Sequence, residues 1–429
     1  MLHIEEKRRN ENGLQLHFIQ SKKYKTLNIV AKLRAPLNRE TITKRALLPY
    51  ILNQGSKRYP SKPELQLKLD DLYGAVLSVD GSKKGDNHII SIRLELANPK
   101  FIPEKTAIID DGIRLFSELL LDPNAANNSF DEKIVEREKN TLKSRIQAVK
   151  DDKMNYANMR LIDAMCEGEA YGLHVHGYEE DLQEITAANL YEYYHSLIEE
   201  DSLDIYVLGD FDEDEMSRKI AAMFERIGNK VRTVTQSNTI KKEIQTKEVI
   251  ETENIQQAKL HIGYRTNTTF KDEDYATLQV FNGIFGGFPN SKLFINVREK
   301  NSLAYYASSR IESHKGLLFV FSGIAPKDYQ QAKDIIQLQM EAMKKGDFTE
   351  AELQETKDLI INQLLETMDH SQGLIELLYQ QVIGDRIITP EQLINNIRQV
   401  TKGQVTMLAT KIEEDTVYLL TSEGGKTNE

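Results

Sequence analysis

The sequence predicts an α+β fold of two homologous domains, each a mainly antiparallel sheet with long helices on one face. Three observations predict it. Strand-like runs come in pairs with blocks of helix between them, which argues against a parallel doubly wound sheet. The order of these runs repeats along the chain. Phe130 lies nine residues before Lys139, as Phe348 lies nine before Lys357, each pair opening a long helical stretch. The offset of about 220 residues is too long for a solenoid and suits a duplicated domain.

In the first half, residues 14–19 and 27–33 alternate apolar and polar and read as strands. Helical patterns follow at 41–52 and 63–72, then strands at 75–79 and 88–96. Long helices are expected at 103–121 and, unbroken, at 129–166, then a shorter one at 187–197 and a strand at 203–208. The second half repeats the series: a strand at 259–264, a helix at 272–285, strands at 303–310 and 316–322. Long helices at 326–344 and 349–378, a helix from Pro390 and a strand at 416–421 complete it. Ser129–Glu132 and Thr349–Glu352 read as capping boxes, and Thr389 with Pro390 reads as another helix start. Residues 228–257 are rich in Lys, Thr, Gln and Glu, and their first part reads as a linker. The expected domains are residues 1–227 and 247–429, joined by 228–246.

Composition removes several classes of function. A single cysteine excludes a disulfide framework and any cysteine-rich metal site. Net charge −11 argues against nucleic acid as a partner. No apolar run approaches the roughly 18 residues that cross a membrane. Residues 1–10 carry charges where a signal peptide carries its apolar stretch, so a cytoplasmic protein is expected. Nine histidines leave a histidine-bound metal open.

Phosphate-loop, dinucleotide and nucleophile-elbow motifs are absent. Cys166, on an apolar helix face, reads as a small buried hydrophobe. No two histidines stand in H-E-x-x-H or H-x-x-E-H spacing. The nearest approach, His174 and His176 with Glu179, lies between Gly172 and Gly177 and reads as a solvated loop. Tyr178, Tyr191, Tyr193 and Tyr194 read as core or interface packing. One constellation stands out: Gly286 and Gly287, a short helix ending at Arg298-Glu-Lys, and a strand carrying Tyr305 and Tyr306. Arg298 offers a fork of donors and Tyr305 a hydroxyl, a pair able to hold carbonyl oxygens or a carboxylate. Ordinary helix-end and strand chemistry accounts for the same residues.

Three stretches resemble the pitrilysin-type inverted-zinc peptidases, in the processing-peptidase branch. Residues 34–55 resemble the first strand and the metal-binding helix. The run from Phe130 to Lys139 resembles the start of the helix that carries the third ligand. Residues 286–305 resemble the second-domain segment in which an Arg and a Tyr grip the substrate backbone. The resemblance spans the whole chain and implies the two-domain α+β fold already read from the pattern, with the domains closing as a clamshell.

The departures from that family concern the metal. Its motif, H-x-x-E-H on a helix, supplies two zinc ligands and a general base, four residues apart on one face. With Gly55 as anchor, Ala46 and Tyr50 stand at the histidine positions and Pro49 at the base. Pro49 should kink the helix or mark its start. The third ligand, a glutamate two turns beyond Glu138, is Arg145, and a cation there would repel a metal. Neither a metal nor another cofactor is expected. Arg298 and Tyr305 fall on the gripping positions, with Ser302 where a glycine is usual.

The resemblance therefore implies a non-catalytic subunit of a peptidase-like heterodimer. Its partners would be a related zinc-bearing subunit and an extended peptide or unfolded polypeptide, with self-association left open. A scaffold without peptidase output is the second reading, and an active peptidase with an unusual site around His174, His176 and Glu179 the third.

Overall fold

The computed structural model describes residues 4–11, 14–102, 107–224 and 245–423. The expected linker lies outside them except for its last two residues. In chain order the elements are β1 (Glu6–Glu11), β2 (Leu14–Gln20), β3 (Thr26–Pro36), α1 (Ile42–Leu52), α2 (Lys62–Asp71), β4 (Val76–Lys84) and β5 (Asn87–Ala97). Next come α3 (Ile108–Leu121), the short pair β6 (Ala125–Ala126) and β7 (Ser129–Phe130), α4 (Glu132–Ala148), α5 (Lys153–Met165), α6 (Ala187–Glu200), β8 (Ser202–Gly209) and α7 (Glu213–Met223). The remainder is β9 (Lys247–Thr252), β10 (Ala258–Arg265), α8 (Tyr275–Asn282), β11 (Ala304–Glu312), β12 (Leu317–Ile324), α9 (Tyr329–Lys345), α10 (Glu350–Asp369), α11 (Ser371–Gly384), α12 (Pro390–Gln399), α13 (Lys402–Ala409) and β13 (Glu413–Thr421).

The described residues form two compact units: one up to residue 148 and from 173 to 224, the other from 149 to 172 and from 245 onward. The first sheet runs β1-β2-β8-β3-β5-β4 and the second β11-β12-β10-β13-β9. Each sheet has one parallel pair, β2 with β8 and β13 with β9, and every other neighbour pair is antiparallel. Read from the β4 edge, the first sheet has the order and directions of the second read from β11, plus β1. Mostly antiparallel sheets with helices between the strand pairs are the α+β arrangement that the sequence pattern predicts.

The repeated Phe–Lys spacing has a structural cause. Lys139 Nζ donates to the Ile185 carbonyl at 2.9 Å, just before the Thr186 cap of α6. Lys357 Nζ donates to the Arg398 carbonyl at 3.1 Å, shortly before the Thr401 cap of α13. Phe130 packs on Tyr191 and Tyr194 of α6, and Phe348 lies under Lys402 of α13. In each unit the same two positions fasten a long helix to the one that feeds the last strand.

Several expectations need correction. The helix expected over 129–166 breaks between α4 and α5, because Asp152 caps a new start by accepting from the Met154 and Asn155 amides at 3.1 Å. The helix expected over 349–378 divides at His370. Ser129 makes no capping box: it lies in β7, and Asp131 caps α4 by accepting from the amides of Lys133 and Ile134. The boxes at Thr349 and Thr389 form. Tyr178 is apart from the α6 tyrosines, stacked on His174 and under Arg39.

Helix α5 packs on the second sheet through Leu161, Ile162 and Met165 against Phe319, Phe321, Tyr418 and Leu420. Cys166 is buried in the same cluster. Strand β12 is buried at every position, so its sequence LLFVFSGI is continuous rather than alternating, as a strand covered on both faces requires. Gly263 lets the helix approach, since a Cβ there would meet the Met165 sulfur and Leu161.

Candidate functional site

Helix α1 carries the stretch from Ala46 to Tyr50. Its apolar residues Leu47, Leu48, Ile51 and Leu52 are buried in the first core, which holds the helix against the sheet. Pro49 is buried inside it and the helix continues, with the Asn53 amide closing on the Pro49 carbonyl at 3.1 Å. The expectation that the helix begins near Pro49 is therefore corrected. The missing amide falls within the helix's last turns, and tertiary packing holds the rest.

Two of the positions assigned by resemblance meet in space. Arg145, in the last turn of α4, donates from Nη1 to the Tyr50 hydroxyl at 2.9 Å. A guanidinium there also faces the negative end of the α4 dipole. One turn along, Gln54 donates to Glu138 at 3.3 Å and accepts from Arg137 at 2.7 Å. Ala46, one turn before Tyr50 on the same face, presents only a methyl group and is 6% exposed.

The 173–178 segment docks on this helix. Gly177 has φ +71°, and a Cβ there would run into Thr43, so only glycine permits the approach. The Tyr178 amide donates to Thr43 Oγ1 at 3.0 Å. His176 is thereby half-buried, and burial first, then Arg145 and His174, lower its pKa. The sequence placed these histidines in a solvated loop; the glycine beside them was the one signal of a close contact. Glu179 pairs with Lys143 at 3.0 Å and accepts from Gln147 at 2.9 Å.

Beneath α1, Arg45 is fully buried and pairs with Asp201 at 2.5 Å, while its Nε donates to His88 Nδ1 at 3.1 Å. Burial first, then Arg45, pushes His88 down to about 3, so its imidazole is neutral. This pair is far apart in sequence and carries no motif.

The fit to zinc is poor. A methyl, a phenol held by a guanidinium, and the guanidinium itself stand where three ligands would be, and a proline stands where the base would be. Among the described residues no group of three His, Cys, Asp or Glu side chains is placed to hold a metal ion, the set of His174, His176 and Glu179 included.

Arg298 and Tyr305 lie in the second unit, on irregular backbone. Arg298 is in a wide π-type turn, Phe294–Glu299, with its side chain 44% exposed and over the Phe294 ring at 4.6 Å. Ser302 closes that turn in the left-handed region, φ +52°, with its amide on the Arg298 carbonyl at 3.0 Å. This is why a glycine suits the position. Tyr305 is the extra residue of a β-bulge on the edge strand β11: Ala304 opposes Ile324 and Tyr306 opposes Gly323. The bulge turns its side chain outward, 72% exposed. Gly286 lets its own turn touch β11, where a Cβ would meet the Ser309 amide at 2.8 Å.

Comparison with known proteins identifies the family. A family model described as "Peptidase M16 inactive domain" matches residues 184–360. The chain is 46% identical over 425 residues to "Probable inactive metalloprotease YmfF" of Bacillus subtilis, covering 99% of this chain and all of that one. It is 24% identical over 303 residues to "Uncharacterized zinc protease YmxG" of the same species, covering 70% of this chain and 73% of that one. The crystal structure of a conserved protein from Enterococcus faecalis V583 superposes with TM-score 0.89 at 32% identity, covering 99% of this chain and all of that one. No helix among the described residues is long and apolar enough to cross a membrane. The chain therefore belongs to the M16 peptidase family as an inactive homologue of its metalloproteases.

Proposed function

We propose that this chain is the non-catalytic subunit of a peptidase-like pair and presents Arg298 and Tyr305 to an extended peptide. The observation that carries the reading is the β-bulge at Tyr305. It leaves a large aromatic side chain mostly exposed on an edge strand, beside a turn that exposes a guanidinium. Bulges and π-type turns cost regular hydrogen bonds and recur where a side chain must be aimed. A tyrosine hydroxyl and an arginine fork suit the carbonyl row of a strand-like peptide.

The domains 1–227 and 247–429 would then serve different ends, the first having lost its chemistry. The catalytic partner would be a related chain with an intact H-x-x-E-H. The test is peptide cleavage by the purified chain, by a zinc-bearing relative, and by the two together. Cleavage should need the relative, rise with this chain present, and fall in Arg298→Ala/Tyr305→Phe. Unchanged cleavage with that variant, or no association with any zinc-bearing relative by native mass spectrometry, overturns the proposal. The second outcome would favour a scaffold.

A further inference from the structure

Cations in this part of the first unit are mostly committed. Lys143 holds Glu179, Arg39 pairs with Asp181 at 2.6 Å, and Arg137 holds Glu138 at 2.8 Å. Among the described residues Arg145 makes no ion pair; its partner is the neutral hydroxyl of Tyr50. Every carboxylate around it is taken, yet it is exposed, and its charge acts on His176 across the gap. His176 has no hydrogen-bond partner among the described residues. Ala46 contributes no bulk on that side of α1. A forked cation, a phenol and an imidazole thus stand on one side of α1, and the cation has no carboxylate partner among the described residues.

We infer that the former metal position has been inverted into a carboxylate site, in which Arg145, Tyr50 and His176 receive a peptide's C-terminal or acidic side-chain carboxylate. One guanidinium matches one planar monoanion through two parallel N–H···O bonds. The Tyr50 hydroxyl and a His176 N–H add donors to its oxygens. A phosphate dianion would ask for more positive charge than one arginine provides. The inference deepens the peptide-binding reading but stands on the first unit alone.

Acetate is titrated into the full chain, with acetamide as the uncharged control, while the His176 imidazole is followed by NMR and identified by its loss in His176→Gln. Acetate should shift the signal saturably and raise the pKa of His176, and acetamide should not. Arg145→Gln, checked for unchanged melting temperature, should weaken acetate about tenfold or more. No response to acetate, or an equal response in Arg145→Gln, overturns the site. A short acidic peptide and its C-terminal amide then separate the two carboxylate sources: loss on amidation marks the terminus, retention marks a side chain. Acetate binding without peptide binding keeps the site and removes the peptide reading. Peptide binding that depends on Arg298 and Tyr305 but not on Arg145 does the reverse.

Discussion

Helix α5 comes from the first half of the sequence yet belongs to the second unit, and Arg265 is the residue that should keep it there. The Arg265 side chain is buried, with Nε on Asp415 at 2.9 Å, Nη2 on Glu169 at 2.6 Å and Nη2 on the Met165 carbonyl at 2.8 Å. Asp415 is 1% exposed. Arg265→Met keeps the length and removes the charge, leaving Asp415 buried without its cation. Breaking a buried pair on one side costs about 3–5 kcal/mol. The Met165 carbonyl loses its donor too, while Glu169 keeps Lys315 at 3.1 Å and the ion pair of Arg160 with Glu251 at 2.6 Å remains, partly exposed and worth about 1 kcal/mol or less. Global unfolding of a two-unit chain is a poor readout, so the assay is hydrogen exchange followed peptide by peptide. Amides of residues 153–165 should exchange at least a hundredfold faster in Arg265→Met, with those of β2 and β3 unchanged. Removing the stranded charge as well, in Arg265→Met/Asp415→Leu, should restore part of the protection. Protection of α5 within threefold of the native chain would refute the argument.

Three further predictions follow from local geometry. Ser302→Gly should stabilise the chain by about 0.5–1 kcal/mol, since relief of a left-handed conformation, about 1–2 kcal/mol, outweighs the added chain entropy of glycine; a lowered melting temperature would contradict it. Gly177→Ala should cost about 2–4 kcal/mol, from φ +71° and the collision with Thr43, and should change the His176 imidazole signal; a silent substitution would mean the loop is not docked. Burial lowers the pKa of His17, but its bonds to Asp204 at 3.0 Å and Glu6 at 2.7 Å outweigh it, so the net shift is upward from 6.5. Its stabilisation is therefore full below about pH 6.5 and is lost as pH rises through the raised value; melting temperature between pH 6 and 9 should fall in the native chain and flatten in His17→Gln.

What was legible in the sequence was what apolar periodicity writes. The buried strands β3, β5, β10 and β12 and the amphipathic helices α3 and α12 stand out because one face or both must be apolar. Strand β1 was invisible: its residues EKRRNE are held by pairing with β2 and by side chains such as Arg9, which reaches Glu213 on α7. Strand β9 lay in the polar region of residues 228–257, just beyond the part read as linker, with every second residue exposed. The break before α5 depended on Asp152 choosing a cap, a local event that the surrounding helical periodicity masks. At the candidate site, the pairing of Tyr50 with Arg145 has no signature along the chain. It came into view only because a family resemblance named both positions. The docking of His176 and the buried pair of Arg45 with Asp201 had no such guide.

At the positions that the resemblance assigns to the metal, the residues present fit one another as a set. Arg145 alone, added to a histidine pair, would place a cation against zinc and against an imidazole, and neither could discharge it. Tyr50 alone, facing a glutamate, would put a phenol against a carboxylate and leave the charge without a metal. Together they satisfy each other: the guanidinium donates and the hydroxyl accepts, at 2.9 Å. Pro49 is tolerated for a related reason. Once no general base is needed, that position is free to be buried, where a ring without an amide packs on the sheet beside Gly81 and the helix ends a turn later. Ala46 then has no ligand role to fill and serves the core. The resulting face is self-consistent and carries one positive charge more than it uses.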